Sequence, residues 1–268
     1  MTDAFPFPVS QRFSAAAGRY NSFSCVQKRV ASVLLTYIPS HIHCQRILEI
    51  GCGTGHLTRL THQTFPDIDL DAIDISEAMI QEVHKDFAHQ KNIHFIVADA
   101  RNFSSFSSYD LILSSSSLQW ATPLNTCFQN LLLLLQPKGL LVCALMIKGT
   151  LAELHEARQR IAPQKLPAIH LPSSNDVVNH LTDTGFNILQ KKELTFHETY
   201  PSSRAFLLSI HNQGVTGGNL SRSKTVLTRG ELQQLITDYE THYSTNAINS
   251  DVQATYQVLF FTATKSLV

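Results

Sequence analysis

The run Glu49-Ile50-Gly51-Cys52-Gly53-Thr54-Gly55 sets a carboxylate just ahead of three glycines spaced two apart. Glycine admits positive φ and leaves bare backbone for a ligand to approach. Asp74 follows 23 residues after Gly51. At the end of a strand its carboxylate can accept both hydroxyls of a ribose. Asp99-Ala100, closing another apolar run, is placed to meet an adenine edge. Two nucleoside cofactors compete for this layout. A dinucleotide asks for Gly-x-Gly-x-x-Gly, with its pyrophosphate at a helix N-terminus. Here the third glycine comes one residue early, and Glu49 stands before the loop. A carboxylate repels a pyrophosphate but attracts an ammonium or a sulfonium. The sign of that charge selects S-adenosylmethionine over NAD. The plain alternative is that the glycines only make a tight strand-to-helix turn. The cofactor-binding candidates are Glu49, Gly51, Cys52, Gly53, Gly55, Asp74, Ile75, Asp99, Ala100 and Ser115.

Elements with the right periods surround these residues. Val26, Val30, Val33, Leu34 and Ile38 predict an amphipathic helix over 23–38, ending before Pro39. Arg46 to Ile50 reads as a buried strand, and Thr54 to Phe65 as a helix stopped by Pro66. Further strands are predicted over 70–75, 93–97, 109–114 and 140–146, with a helix over 124–135 and a turn at Pro137-Lys138-Gly139. Ser76 can cap a helix whose first turn carries Glu77. Beyond residue 147, Ser173 or Ser174 caps a helix that Gly185 closes. Sixth and seventh strands are expected over 186–196 and 255–264. Alternating strands and helices imply right-handed crossovers. The expected fold is α/β: a doubly wound, seven-stranded, mainly parallel sheet. One domain is expected over 1–268. It comprises an N-terminal helical cover (1–40), a cofactor-binding core (45–147) and a substrate-covering insertion (199–250) between strands six and seven. An insertion of that length in a compact domain is usually functional.

Composition narrows the function classes. Hydrophobic residues make up 43% of the 268, and 21 basic residues balance 21 acidic ones. That is a foldable chain without the basic excess of a nucleic-acid binder. The five cysteines are widely spaced and form no Cys-x-x-Cys pair, so no disulfide framework or metal site is expected, and a reducing, cytoplasmic compartment fits. The run His41-Ile42-His43-Cys44 offers ligand types without ligand spacing. The first residues lack the basic and apolar blocks of a signal peptide. The most apolar stretch, 131–146, is cut by Gln136-Pro137-Lys138-Gly139, so no membrane association is expected.

LEIGCGTG, DAIDIS, VADA and LLQPKGLLV resemble the successive motifs of class I methyltransferases. Three longer segments narrow the likeness: 13–21 (FSAAAGRYN), 116–120 (SSLQW) and 149–154 (GTLAEL). Together with 207–211 (LLSIH), Gly214-Val215 and 227–229 (LTR), they are similar to the malonyl-acyl-carrier-protein O-methyltransferases of biotin synthesis. The resemblance covers nearly the whole chain. It implies methyl transfer from S-adenosylmethionine to the free carboxylate of a malonyl thioester on acyl carrier protein, or on coenzyme A. A carboxylate is ionised at neutral pH, with a pKa of about 4, so no general base is required and no catalytic residue is expected. Positioning and exclusion of water carry the rate.

Four residues are candidates for positioning the acceptor: Tyr20, Gln119, Trp120 and Arg204. Tyr20 offers a hydroxyl and is equally a packing aromatic. Gln119 and Trp120 follow strand four, where the methyl should point; Trp120 serves as wall or core. Arg204 could clamp a carboxylate or be a solvated surface charge. An acidic carrier asks for a basic dock, for which Lys191-Lys192, Arg222, Lys224 and Arg229 are candidates. Two other readings remain: a carboxyl methyltransferase for a free small acid or metabolite, and an inactive cofactor-binding partner subunit. Nucleic-acid adenine or protein glutamine methylation is disfavoured, because 114–117 reads Ser-Ser-Ser-Ser where those chemistries use a Pro-Pro-Tyr/Phe loop.

Overall fold

The computed structural model describes residues 9–40, 42–166, 171–215, 226–245 and 251–265. A seven-stranded sheet runs through them in the order β3-β2-β1-β4-β5-β7-β6. Its strands are β1 (Arg46–Ile50), β2 (Asp69–Asp74), β3 (Ile93–Val97), β4 (Tyr109–Ser115), β5 (Leu135–Met146), β6 (Phe186–Tyr200) and β7 (Val252–Lys265). The first five pair in parallel; β7 alone runs antiparallel, between β5 and β6. This is the expected doubly wound fold.

Strand alternation sends side chains to two cores, one on each face of the sheet. On β5, Val142, Ala144 and Met146 join one core, and Leu141, Cys143 and Leu145 the other. Helices α2 (Cys25–Leu34), α3 (His56–Thr64) and α4 (Glu77–Phe87) cover the first face. Helices α5 (Leu124–Leu134) and α7 (Ser174–Asp183) cover the second. The cap on α4 is as expected, with Ser76 Oγ accepting from Met79 N at 3.2 Å. Ser173 forms a capping box with Asp176 on α7.

Three expectations need correction. The helix expected over 23–38 begins at Cys25 as α2 and tightens into a 3-10 turn over Leu35–Tyr37, and a further helix, α1 (Val9–Phe23), precedes it, separated at Ser24. Ser24 is fully buried and its hydroxyl bonds the His56 ring at 2.8 Å, a tertiary contact the local pattern does not carry. Pro137-Lys138-Gly139 lies within β5 as an irregularity, where pairing jumps from Tyr109–Leu135 to Leu111–Leu140 and Lys138 takes φ 67°. The last two strands are longer than their apolar runs, because their ends pair with each other out to Tyr200 and Val252.

The region between β6 and β7 holds α8 (Ser203–Asn212) and α9 (Arg229–Tyr243). They pack through Phe206 and Tyr239, ring centroids 5.1 Å apart, and through the Ser203 hydroxyl donating to Ile236 O. Between β5 and α7 lies α6 (Ala152–Ile161), tied to α9 by an Arg160–Asp238 ion pair at 2.7 Å.

Candidate active site

Strand order reverses between β1 and β4, and a cleft opens beyond their carboxyl ends, as it does in open α/β sheets. The register holds Ile50 opposite both Ile73 and Ser114, so three strands end at one level. The loop after β1 takes φ 70°, 52° and 84° at its three glycines. A Cβ at Gly51 would stand 1.8 Å from Ser117 Oγ, so that glycine lets the loop after β4 close against it. Gly55 serves a different purpose: its missing side chain makes room for Val83 and Phe87 of α4.

A cavity of about 310 Å³ sits in this cleft. Gly51, Gly53, Asp74, Ile75, Asp99, Ala100 and Ser115, all expected from sequence, line it. Glu49, Cys52 and Gly55 are not among the lining residues. Asp74 is buried, and its two oxygens accept from Gly53 N (2.9 Å) and Ser76 N (2.8 Å). It therefore ties the glycine loop to the start of α4. Burial raises its pKa, against the pull of those amides. Glu49 is 1% exposed, and its Oε2 has no hydrogen-bond partner among the described residues. Burial pushes its carboxyl up to about 8, with the charge of Asp74 adding to the effect. A buried carboxylate left half unsatisfied is costly unless a cation answers it. Arg101 is the partner that sequence reasoning missed at Asp99. It grips that carboxylate through Nε and Nη2 and also donates to Thr122 O. Burial alone would raise Asp99; the Arg101 bonds outweigh it and hold it low. The Asp-x-Arg spacing was visible, but only the turn brings the two side chains together.

A second cavity, of about 800 Å³, adjoins the first. Phe13, Tyr20, Ser116 and Trp120 line both. The three aromatics pack edge to face, with Phe13 6.5 Å from Tyr20 and 5.7 Å from Trp120. Tyr20 is half-buried; desolvation first, and then Asp74, raise its pKa, so the phenol keeps its proton. Ser116 takes φ 56°, a left-handed conformation rare for serine, and its Oγ is buried without a hydrogen-bond partner among the described residues. Nothing local in the sequence signals that strain. Gln119 is buried and donates from Nε2 to Ser116 O at 2.8 Å, bracing the strained residue. All four acceptor candidates, Tyr20, Gln119, Trp120 and Arg204, line this larger cavity. Helices α6, α8 and α9 complete it, with Leu154, Leu207 and Leu235 among its apolar walls.

Other expectations fall elsewhere. Lys191 and Lys192 are exposed on β6, at the sheet edge, and line neither cavity. Arg222, Lys224 and His41 lie outside the described residues. Among the described residues no cluster of three potential metal ligands occurs, and no helix is long and apolar enough to cross a membrane.

Residues 47–139 match the family model of a methyltransferase domain. The chain is 32% identical to malonyl-[acyl-carrier protein] O-methyltransferase 2 of Ilyobacter polytropus, over 88% of this chain and 90% of that one. It is 29% identical to the malonyl-[acyl-carrier protein] O-methyltransferase of Bacillus anthracis, over 96% of both. Among solved structures, the N-methyltransferase NodS of Bradyrhizobium japonicum, in complex with S-adenosyl-L-homocysteine, superposes with a TM-score of 0.59. It shares 14% identity over 97% of this chain and all of that one. S-adenosylmethionine is the cofactor. With its sheet order, glycine loop and near full-length relatives, the chain belongs to the malonyl-[acyl-carrier protein] O-methyltransferase family of S-adenosylmethionine-dependent methyltransferases.

Proposed function

We propose that the enzyme methylates the free carboxylate of a malonyl thioester carried on acyl carrier protein, giving the methyl ester used in biotin synthesis. The observation that carries this reading is the pair of adjoining cavities with a common aromatic wall. The smaller one suits a nucleoside. The larger, at about 800 Å³, lies at the upper end of the range for drug-sized ligands, roughly 300–1,000 Å³. A free three-carbon diacid would leave most of it empty, whereas a thioester on a long flexible arm fills it. The names of the relatives support the same acceptor.

When bound, S-adenosylmethionine supplies an electrophilic methyl on a sulfonium. The chain's residues hold and orient the two reactants. Asp74 accepts the ribose hydroxyls on the lone pairs its amide partners leave over. Glu49 answers the positive charge of the methionine moiety, Asp99-Ala100 meets the adenine, and Ile75 packs against it. Tyr20, still protonated, donates to the acceptor carboxylate, while Phe13 and Trp120 exclude water from the line of transfer. Five unpaired thiols fit a reducing, cytoplasmic setting.

The test is transfer of labelled methyl to malonyl-carrier, malonyl-coenzyme A and free malonate. Base-labile label on a malonyl thioester is expected. Label on malonate alone would move the assignment to a free-acid methyltransferase. No label on any malonyl compound would overturn it altogether.

A further inference from the structure

The mouth of the larger cavity lies on α8 and α9. Both helices repeat one arrangement there. On α8, Arg204 and Leu208 are exposed and stand four residues apart, on one face. On α9, Arg229 and Leu232 are exposed and stand three apart, again on one face. Leu208 (54% exposed) and Leu232 (42%) also line the cavity, so apolar surface runs from its interior out to solvent. Val226, 73% exposed, extends the patch just ahead of α9. Surface leucines at a cavity mouth mark a contact more than scattered ones do.

The charged groups around this rim differ in their partners. Of the acids of α9, Glu231 pairs with Lys165 (2.7 Å) and Asp238 with Arg160 (2.7 Å), while Glu240 lies 2.7 Å from the Ser203 hydroxyl and keeps its charge. Glu156, on the cavity wall, accepts from the Tyr243 hydroxyl. Arg204 and Arg229 form no ion pair among the described residues. On the face that carries Leu208 and Leu232, the rim offers two exposed guanidinium groups flanking an apolar strip. A helix carrying carboxylates on either side of an apolar ridge complements it in both charge and shape.

Resting on the reading of a carrier-bound acceptor, we infer that the exposed face of α8 and α9 is the docking surface for an acidic, helical carrier protein. Docking there delivers the thioester arm past Leu208 and Leu232 into the cavity. Arg204 thus acts at the entrance, outside the reach of the transferring methyl. The Lys191-Lys192 pair belongs to the sheet edge, where lysines discourage edge-to-edge pairing.

The experiment compares malonyl-carrier with malonyl-pantetheine, which has the thioester but neither a protein surface nor a phosphate. Arg229→Glu is the main variant, because an acid in the first turn of a helix is favoured and α9 should fold. It is expected to weaken carrier binding about tenfold, measured by fluorescence anisotropy of labelled carrier, and to flatten the salt dependence. Turnover of malonyl-pantetheine should stay unchanged, and Arg229→Ala should fall between the two. Unchanged carrier affinity, no carrier binding by the wild type, or an equal loss on malonyl-pantetheine would each overturn the docking surface. The two readings separate cleanly. Wild-type transfer to malonyl-pantetheine without an effect of Arg229→Glu on carrier affinity removes the dock and keeps the acceptor. Carrier binding through this face without transfer to any malonyl compound does the reverse.

Discussion

Glu49 and Asp74 are two buried carboxylates that act in different ways on the same loop. Asp74 ties Gly53 of the glycine loop to Ser76 at the start of α4, so replacing it loosens the loop as well as removing the proposed ribose acceptor. Asp74→Ala is expected to weaken cofactor binding about ten- to a hundredfold, since hydrogen bonds to charged groups contribute ~1.5–3 kcal/mol. The single tryptophan, Trp120, lines the cofactor cavity, so its fluorescence can follow the titration. Unchanged affinity would remove the ribose role. Glu49 has a pH signature. Its pKa is raised from 4.5 to about 8 in the folded protein. Between those values the folded state holds a proton that the unfolded state has lost, so stability falls as pH rises through that window. Glu49→Gln should remove this slope, which chemical denaturation between pH 5 and pH 8, spanning roughly that window, would read out. A cationic ligand favours the ionised form, so cofactor binding near neutral pH should release close to one proton. Calorimetry in buffers of different ionisation enthalpy measures that proton; none released would place the ammonium elsewhere.

The glycines of the loop and the helix before it make a matched set at the level of elements. Gly55 stands at φ 84°, with Val83 Cγ2 2.5 Å from the position of a Cβ. Gly55→Ala must strain the backbone and push α3 from α4, so a loss of about 1–3 kcal/mol is expected in thermal unfolding. Gly18 is the contrast. It lies inside α1 with nothing within 4 Å of a Cβ. Gly18→Ala should stabilise by about 0.5–1 kcal/mol through helix propensity alone. Equal effects at the two sites would mean that the packing of α3 on α4 tolerates a methyl group.

For the whole molecule, the N-terminal cover and the α8–α9 pair close two cavities that the sheet alone leaves open. Helix α1 supplies Val9, Phe13 and Tyr20 to the cofactor cavity. It is pinned by Ser14 to Ser76 at 2.9 Å, while Asn21 accepts from Thr54 at 2.5 Å. These contacts reach the loops after β1 and β2, two of the four strands whose ends line that cavity. Cofactor binding should therefore slow amide hydrogen exchange in residues 9–23 as well as in the glycine loop. Protection confined to the loop would separate the cover from the cofactor site.

The order of strands and helices from β1 to β5 was legible from apolar runs, caps and breakers, because each is a local property of the chain. The choice of S-adenosylmethionine was legible too, since one carboxylate and one early glycine decide a sign of charge. Ile75, Asp99 and Ser115 sit at strand ends, so locating the strands located them. What lay beyond the sequence depends on contacts across long separations. Ser24 breaks the N-terminal helix because His56 waits for its hydroxyl. Ser116 turns left-handed because Gly51 and Gln119 meet its loop. Arg204 stands at a cavity mouth because Phe206 and Tyr239 lock two helices together. The sequence by itself determined the sheet's parallel half, the glycine loop and the kind of cofactor. Only the tertiary structure decided that Glu49 is buried with one oxygen unpartnered among the described residues, and that three aromatics line both cavities. Periodicity reports which face of an element is buried, and it carries no information about which distant element does the burying.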